Sequence, residues 1–444
     1  MNKIKSLPES SFLKLFFGFI TACFFVGAVC MPDRAQMLSG FIKILTSPCK
    51  VSTNYFAVGG YAATFLNVAL VCLVTTLLFT VLKANVNNVS TLAFLLTAGF
   101  CTWGINLVNI WPTFLGVALY ALVKKEKLAS LCNAMLFSTG IAPLISELML
   151  RYLTPDSVGF SVGGVVLSLA VGVVIGFCLP AGLAHAPKVH KGFDLYSAAV
   201  PVGMTAFVLQ GVLYKAPGVA LPAAPDASTL AIGSQLIANV FCVTVFGLCV
   251  VLALLLGCKV KDYWMLLKDP DQVTSFTARY GNAVMLMNVG VYGLMILAYY
   301  NLVGASFNGV TVGLIFCMLA TCNSGSHPGN VWPIMAGYVV SSLLFGWISP
   351  LVGGNFAQAV NAQAILIGLC YANGLSPIAD KYGWFWGMVS AMLHYCMVTT
   401  VPSLHGGYCL YNGGFTAALV CLILVPELEK FLKTKQEKLA AKAK

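Results

Sequence analysis

Charge is what this sequence has least of. Only 9% of its 444 residues are charged, against about 25% in a typical soluble protein. So few charged side chains cannot cover a water-facing surface, which excludes a soluble enzyme, a nucleic-acid-binding protein and a disordered chain. Hydrophobic residues make up 59% of the chain, and the mean hydropathy is +0.88. We therefore predict an all-α polytopic membrane protein.

Patterns for metal binding and for intramembrane catalysis are also missing. The 16 cysteines include no C-x-x-C pair, and no cysteines and histidines have the spacing of a zinc site. An intramembrane transferase would need clustered acids, and the sequence has no DxxxD-type cluster. Asp194 lies near His190, but the topology derived below puts both at the cytoplasmic rim. The sequence predicts no metal and no cofactor, and an enzyme is the least favoured class.

The apolar residues form twelve segments, six on each side of a linker rich in proline and alanine. About 20 apolar residues cross a bilayer as a helix. The predicted organisation is a first repeat over 1–215, a linker over 216–227, a second repeat over 228–426 and a basic cytoplasmic tail over 427–444. The segments cover residues 11–31, 56–82, 91–123, 129–150, 158–181, 193–214, 228–257, 281–303, 309–347, 359–379, 383–402 and 408–426.

Three motifs occur in both halves in the same order, which predicts an internal duplication. Asn109-Ile-Trp-Pro112 is matched by Asn330-Val-Trp-Pro333, at an offset of 221 residues. Gly140-Ile-Ala-Pro143 is matched by Gly374-Leu-Ser-Pro377. His190-Lys-Gly-Phe-Asp-Leu-Tyr196 is matched by His405-Gly-Gly-Tyr-Cys-Leu-Tyr411.

The third segment of each half is too long for one span and is interrupted by glycine, asparagine and proline. Residues 91–123 and 309–347 could each be a kinked span or a re-entrant hairpin. If both cross the membrane, 13 basic residues lie inside and 12 outside; if both are re-entrant, the counts become 20 and five. The positive-inside rule favours the hairpins. We therefore predict two inverted repeats, each with five transmembrane helices and one re-entrant hairpin, about ten spans in all. Both termini are then cytoplasmic, and the hairpin tips are expected to meet near the midplane.

Non-helical backbone at membrane depth is tolerated only where protein or a cavity surrounds it. Half-helix N-termini suit an anionic or carbonyl-bearing solute, and unwound carbonyls suit Na⁺. For the asparagines that recur in both halves, a capping role is the alternative to binding. The candidate solute- or ion-binding residues are Asn106, Asn109, Ser138, Thr139, Ser324, Ser326, His327, Asn330, Asn373, Ser376 and Asn412.

Two acids close to the recurring prolines, Glu147 and Asp380, are the candidates for coupling to Na⁺ or H⁺. The alternative is that both lie at the headgroup level. No lysine or arginine lies deep in a predicted span, which favours a neutral or weakly charged solute, or an anion held by helix ends. The predicted function is ion-coupled secondary transport of a small solute, and the alternative is a passive channel. The expected partners are this solute and membrane lipid, and no nucleic acid.

The repeated His-x-Gly-[Phe/Tyr]-x-Leu-Tyr element, with Tyr411-Asn-Gly-Gly-Phe415 in its second copy, resembles an uncharacterised family of bacterial polytopic membrane proteins, a domain of unknown function. That resemblance covers nearly the whole chain and supplies no substrate. The first apolar segment is predicted to be a retained span, and the expected location is the inner cell membrane. The architecture is similar to inverted-repeat elevator-type secondary transporters, such as the divalent anion/sodium symporters. The Ser-Asn-Thr signature of the sodium-dicarboxylate carriers is absent.

A fainter resemblance supports the channel alternative. Asn330-Val-Trp-Pro-Ile-Met-Ala-Gly337 and Gly407-Tyr-Cys-Leu-Tyr-Asn-Gly413 are similar to the Asn-Pro-x-x-Gly and Gly-Tyr-Asn-Gly elements of urea transporters. Those proteins are pores for a neutral solute, and their Leu-Pro-Phe element is missing here. Elevator and urea transporters are usually oligomers, so the resemblances imply a homodimer or a trimer.

Overall fold

The computed structural model describes residues 6–223, 235–268, 275–435 and 437. The end of the predicted linker and the start of the seventh segment, residues 224–234, lie outside the described residues, as do tail residues 436 and 438–444. Every regular element in the described part of the chain is a helix. The all-α prediction is confirmed.

The described helices of the first half run from residue 9 to residue 215, and a π-helical turn, Gly211–Lys215, extends the last of them. A short 3₁₀ turn, Thr139–Ile141, separates the seventh helix from the eighth. The helices are α1 (Glu9–Cys30), α2 (Met37–Leu45), α3 (Tyr55–Gly59), α4 (Tyr61–Val81), α5 (Asn88–Phe100), α6 (Trp111–Lys124), α7 (Cys132–Ser138), α8 (Ala142–Leu150), α9 (Val162–His190) and α10 (Ala199–Gln210).

The described helices of the second half run from residue 235 to residue 431, and a 3₁₀ turn, Asn373–Leu375, separates the seventh of them from the eighth. Another 3₁₀ turn, Ala320–Asn323, follows α15. The helices are α11 (Gln235–Leu255), α12 (Val260–Leu267), α13 (Phe276–Tyr280), α14 (Asn282–Leu302), α15 (Gly309–Leu319), α16 (Pro328–Leu351), α17 (Gln363–Ala372), α18 (Ser376–Tyr382), α19 (Trp384–Val398), α20 (Val401–Leu404) and α21 (Asn412–Phe431).

Seven helical segments of the described chain are long and apolar enough to cross a membrane. Many large apolar side chains on them face outward, for example Leu236 on α11 at 74% exposed and Val162 on α9 at 84%. Outward-facing apolar side chains on long helices are typical of a multi-pass membrane protein. The seven are α1, α4, the segment Leu128–Leu150, α9, α11, α14 and α16.

Each segment predicted as a hairpin consists of two α-helices joined by a connection that is not α-helical. Asn87 caps α5 by accepting the N–H groups of Val89 and Ser90, and Asn308 caps α15 by accepting that of Thr311. The chain leaves helical geometry after these first helices. It becomes helical again at a Trp-Pro pair in α6 and at Pro328 in α16, where a proline at the first turn sacrifices no hydrogen bond. We call residues 101–110 the first tip and residues 320–327 the second tip.

The Gly–Pro breaks of α7–α8 and α17–α18 are each held by the opposite half. Leu410 N–H donates to Gly140 O at 2.8 Å, and Leu195 N–H donates to Gly374 O at 3.0 Å. A Cβ at Gly140 would lie 2.3 Å from the ring of Tyr411, so the close approach requires glycine there. These exchanged contacts tie the two halves together at the centre of the molecule.

Helices α6 and α9 pack backbone to backbone through glycine. A Cβ at Gly176 would lie 2.0 Å from Thr113 O, and one at Gly116 would lie 2.3 Å from Val173 O. Small residues allow such close contacts between helices in membranes, where van der Waals packing drives association.

We expect Gly176→Ala to lower the stability of the protein by about 1–3 kcal/mol, because the two helix backbones must separate to admit the methyl group. Gly18→Ala in α1 is the matched control, since nothing lies within 4 Å of its added Cβ. The measurement is thermal unfolding in detergent, followed with a thiol-reactive dye that reports exposure of the buried cysteines. Equal melting temperatures for the two variants would contradict the close helix contact.

Candidate functional site

Each hairpin tip is anchored by one buried asparagine on the helix that precedes the hairpin. Asn67 Nδ2 on α4 donates to the carbonyl oxygens of Cys101 and Ile105, both at 2.8 Å. Asn288 Nδ2 on α14 donates to those of Cys322 and Ser326, at 2.8 and 3.0 Å. All six positions differ by the same offset of 221 residues. One side-chain amide thus satisfies two tip carbonyls in each half.

A second asparagine closes each tip from within. Asn109 Oδ1 accepts the N–H of Asn106, and Asn330 Oδ1 accepts that of His327. Their Nδ2 atoms donate to the carbonyls of Gly104 and Gly325, at 3.0 and 2.8 Å. Asn109 and Asn330 therefore hold the turns, which matches the capping alternative for these two residues.

The two tips do not meet, and this corrects the expected geometry. Helices α5 and α15 lie side by side and antiparallel: the end of one half-helix contacts the start of the other. Ser324 Oγ donates to Asn88 O, and a Cβ on Gly309 would lie 2.7 Å from Thr102 O. The 13 residues of α5 span about 20 Å, two thirds of the hydrocarbon thickness, so the hairpins pass each other. Each tip lies beside the base of the opposite hairpin.

A cavity of about 450 Å³ lies where the second tip approaches the base of the first hairpin. Its walls come from the start of α5, from α7, from the end of α9 and from the 191–198 connection to α10. The volume is within the usual range for small-molecule sites. The polar residues that line it are Asn88, Ser130, Asn133, His190, Asp194, Ser197 and Ser324.

Two residues that line the cavity each have a buried hydrogen-bond acceptor without a partner among the described residues. Asp194 is 2% exposed; its Oδ1 accepts the N–H of Tyr196 at 2.9 Å, and its Oδ2 accepts nothing. Asn133 Oδ1 is also buried without a donor. Buried acceptors are normally satisfied, so these two are candidates for contact with a bound solute.

Beside them, His190 and Ser197 form a hydrogen-bonded pair. Asp194 N–H lies 3.3 Å from His190 Nδ1, and His190 Nε2 lies 2.9 Å from Ser197 Oγ. Because Nδ1 accepts a backbone N–H, the proton of the neutral ring is on Nε2 and is donated to Ser197 Oγ. His190 is then unable to act as a base toward Ser197. The serine hydroxyl proton is free to point at the cavity.

The described cavity wall carries one acidic side chain and neither lysine nor arginine. Asp194 is the sole Asp, Glu, Lys or Arg among its described lining residues. Burial raises the pKa of the Asp194 carboxyl to about 7, and the hydrogen bond from Tyr196 opposes that rise. Without a positive side chain in its wall, the cavity disfavours anions. The described residues contain no group of three or more His, Cys, Asp or Glu side chains placed to hold a metal ion.

Among the predicted binding residues, the described cavity wall includes Ser324. Ser138 and Thr139 donate to carbonyls one turn back in α7, and Ser326 and Ser376 contact each other at 3.3 Å. Asn373 Nδ2 donates to Tyr292 Oη and to Met318 O. Asn106 and His327 lie in the tip turns, and Asn412 is buried at the start of α21 with its Oδ1 unpartnered in the described structure. Their roles in binding stay predictions.

Both predicted coupling acids are bonded to protein groups. Glu147, 1% exposed, accepts Arg151 Nε at 2.8 Å and the terminal guanidinium nitrogen Nη2 at 2.6 Å. Asp380 Oδ2 accepts Asn330 Nδ2 at 2.5 Å. Glu147 lies on the side of the first tip and Asp380 on the side of the second. They belong to different sites, and neither lines the cavity.

The sequence reading did not select Asn88, Asn133, His190, Asp194 or Ser197 as site residues. For Asp194 a signal existed, since it is one of few acids in an apolar chain and lies in the recurring His-x-Gly element. His190 lies in the same element, whereas Asn88, Asn133 and Ser197 carry no such signal.

Comparison with known proteins places the chain in a recognised sequence family. The model of a family described as "Protein of unknown function (DUF1576)" matches residues 33–215 and 258–430, one segment in each half. No curated protein and no solved structure matches the chain. The expectation of a domain of unknown function is confirmed.

Proposed function

The chain belongs to the DUF1576 family of proteins of unknown function, and we propose that it is a secondary transporter that carries a small solute across a membrane. The observation that carries the proposal is the cavity between the second tip and the base of the first hairpin, with its two unpartnered buried acceptors. Buried acceptors are normally satisfied, so unpartnered ones beside a cavity of this size support a binding site for a small solute. Coupling to H⁺ or Na⁺ is part of the proposal.

We propose further that the two halves are inverted repeats, each with five spans and one re-entrant hairpin. The matched tip contacts at an offset of 221 support the duplication. Contacts at the hairpin bases support re-entry. Asn88 before the first hairpin and Ser130 after it line the same cavity, and Asn308 Nδ2 donates to Gln363 Oε1 at 2.7 Å across the base of the second. The proposed orientation has both termini in the cytoplasm of a cell whose inner membrane holds the protein.

On this orientation the cavity faces the cytoplasm, and the opposite side is closed. Val51 N–H donates to Gly407 O at 2.9 Å, and Lys50 Nζ donates to Pro222 O at 2.7 Å. Trp103 fills the region of the first tip at 1% exposed. A cavity closed on one side supports a carrier rather than an open channel.

Labelling of single cysteines tests the re-entrant topology. We expect Asn85→Cys and Glu126→Cys, on either side of the first hairpin, to react with a membrane-impermeant maleimide only in inside-out vesicles. Ser306→Cys and Asn355→Cys, on either side of the second, should react only in right-side-out vesicles. All four positions are exposed. The parent protein has serine in place of the exposed cysteines Cys30, Cys178 and Cys396.

The comparison within each pair is the internal control, because both members share one protein background. Opposite labelling of Asn85→Cys and Glu126→Cys would mean that the segment between them crosses the membrane. The positive-inside argument and the inverted arrangement would then both be wrong.

A further inference from the structure

We propose that the cavity binds a small organic cation whose N–H groups donate to Asp194 and Asn133, and that this cation is exchanged for one proton. The inference rests on the proposed transport function and names its substrate class and coupling ion. Its starting observation is geometric: a carboxylate oxygen and an amide oxygen, both buried and unpartnered in the described structure, belong to two residues that line one cavity, and no lysine or arginine is among the described lining residues.

The shape and polarity of the wall define the ligand. The acceptors Asp194 Oδ2 and Asn133 Oδ1 can each accept a hydrogen bond from a ligand. An ammonium or guanidinium group supplies both the N–H donors and a positive charge. The rest of the wall is apolar, with Leu92, Phe137 and Leu183 among its residues. A charged head group with a short hydrophobic or aromatic body therefore fits the cavity, which agrees with its volume of about 450 Å³.

No other charge in the vicinity neutralises Asp194 in the described structure. Lys191 on the same connection forms an ion pair with Glu429 on α21 at 2.6 Å, and Lys381 lies over the ring of Phe193. His190 is neutral because its Nδ1 accepts a backbone N–H. Cys421 on α21 is the remaining titratable neighbour, and it supplies no positive charge.

The exchange follows from the cost of burying an unpaired charge. An ionised carboxylate without a counter-ion is expensive in a low-dielectric interior, so the empty cavity holds Asp194 as the neutral acid. When a cation enters, the Asp194 O–H bond breaks and the proton leaves to water. The carboxylate stays, paired with the cation. The cavity has no net charge in either state, so one univalent cation exchanges for one proton.

The first test measures binding of benzylguanidine to the purified protein in detergent by calorimetry. The guanidinium group stays charged at every pH used. We expect binding about tenfold weaker at pH 6 than at pH 8, because the Asp194 carboxyl with its pKa of about 7 is mostly protonated at pH 6. Benzylurea, a neutral molecule of nearly the same shape, should bind without this pH dependence.

Two variants locate the effect. Asp194→Asn should lose benzylguanidine binding by about a hundredfold and keep benzylurea binding, since the loss corresponds to one close ion pair. Asp156→Asn, an exposed acid after α8, should leave both unchanged. Equal pH dependence in Asp194→Asn and the parent would overturn the assignment of Asp194.

A second measurement uses the unaltered protein and does not depend on how a variant folds. A hydrophobic carbodiimide adds to a buried protonated carboxyl, and mass spectrometry identifies the modified residue. We expect modification of Asp194 at pH 6.5, with protection by benzylguanidine and not by benzylurea. If benzylguanidine neither binds nor protects, the cation assignment is wrong. If benzylurea alone binds, the cavity is a solute site, but the cation assignment and the exchange for a proton are both wrong. If the paired cysteines label from opposite sides, the inverted arrangement is wrong, whatever the result of the binding measurements.

Discussion

We expect Arg151→Ala to be among the most destabilising substitutions in the chain, with a loss of about 3–5 kcal/mol. The Glu147 side chain is buried, and Arg151 donates to both of its carboxylate oxygens at 2.6–2.8 Å. Removal of the guanidinium leaves a buried carboxylate without its hydrogen-bonded counter-charge, which is more costly than the loss of two hydrogen bonds. The measurement is thermal unfolding at pH 7.5, followed with the thiol-reactive dye.

Two comparisons separate the pair's role from a general effect of charge removal. The double variant Glu147→Gln/Arg151→Gln removes both charges, and its stability should return most of the way to that of the parent. Lys191→Ala breaks the exposed pair with Glu429, in which the side chains are 53% and 41% exposed, and should cost no more than about 1 kcal/mol. If Arg151→Ala and the parent have the same melting temperature, the buried ion pair between Glu147 and Arg151 is wrongly assigned.

The partners of the buried acids also decide which of them can take part in ion coupling. Glu147 and Asp380 were selected because an acid near a broken membrane helix is a natural proton or Na⁺ site. In the structure both carboxylates have protein partners, Arg151 and Asn330. Asp194 differs from them because its buried Oδ2 has no partner among the described residues and because the residue lines the cavity. An acid that exchanges ions needs an available oxygen, so we place coupling at Asp194 in the proposed mechanism.

The helices and their interruptions could be predicted because their causes are local. Apolar runs gave the bounds of α1, α4 and α14 to within a few residues, and proline after glycine or asparagine located the breaks at 139–141 and 373–375. The hairpin connections followed from the matched Asn-Ile-Trp-Pro and Asn-Val-Trp-Pro runs. Such signals depend on propensity and spacing, which the sequence contains directly.

The position of the tips and the cavity could not be predicted in this way. Whether two antiparallel hairpins meet or pass each other depends on which faces of α5 and α15 pack together, and no local pattern specifies this. The cavity joins Asn88, Asn133, Asp194 and Ser324, which are up to 236 positions apart in the chain. Asn67 and Asn288 were also missed, because a lone asparagine in an apolar segment has the same local pattern whether it anchors a tip or faces a pore.

Those two asparagines provide a matched test of the duplication. We expect Asn67→Ala and Asn288→Ala each to destabilise the protein by about 2–6 kcal/mol, since each leaves two buried tip carbonyls without a donor at about 1–3 kcal/mol apiece. The native Cys101 and Cys322, whose carbonyls are the acceptors, report on the tips directly because both thiols are buried. Alkylation followed by mass spectrometry should detect faster reaction of Cys101 in Asn67→Ala and of Cys322 in Asn288→Ala.

The reactivity of both cysteines is compared in both variants. Each substitution should expose the cysteine of its own half and leave the other protected, because the tips are separated by about the length of α5 and have separate anchors. Asn361→Ala, in an exposed segment with one long contact of 3.4 Å to Gly304 O, should change neither thiol. A large effect in one half with none in the other would mean that the two tips are held by different interactions, and the proposed equivalence of the halves would fail at its best-matched position.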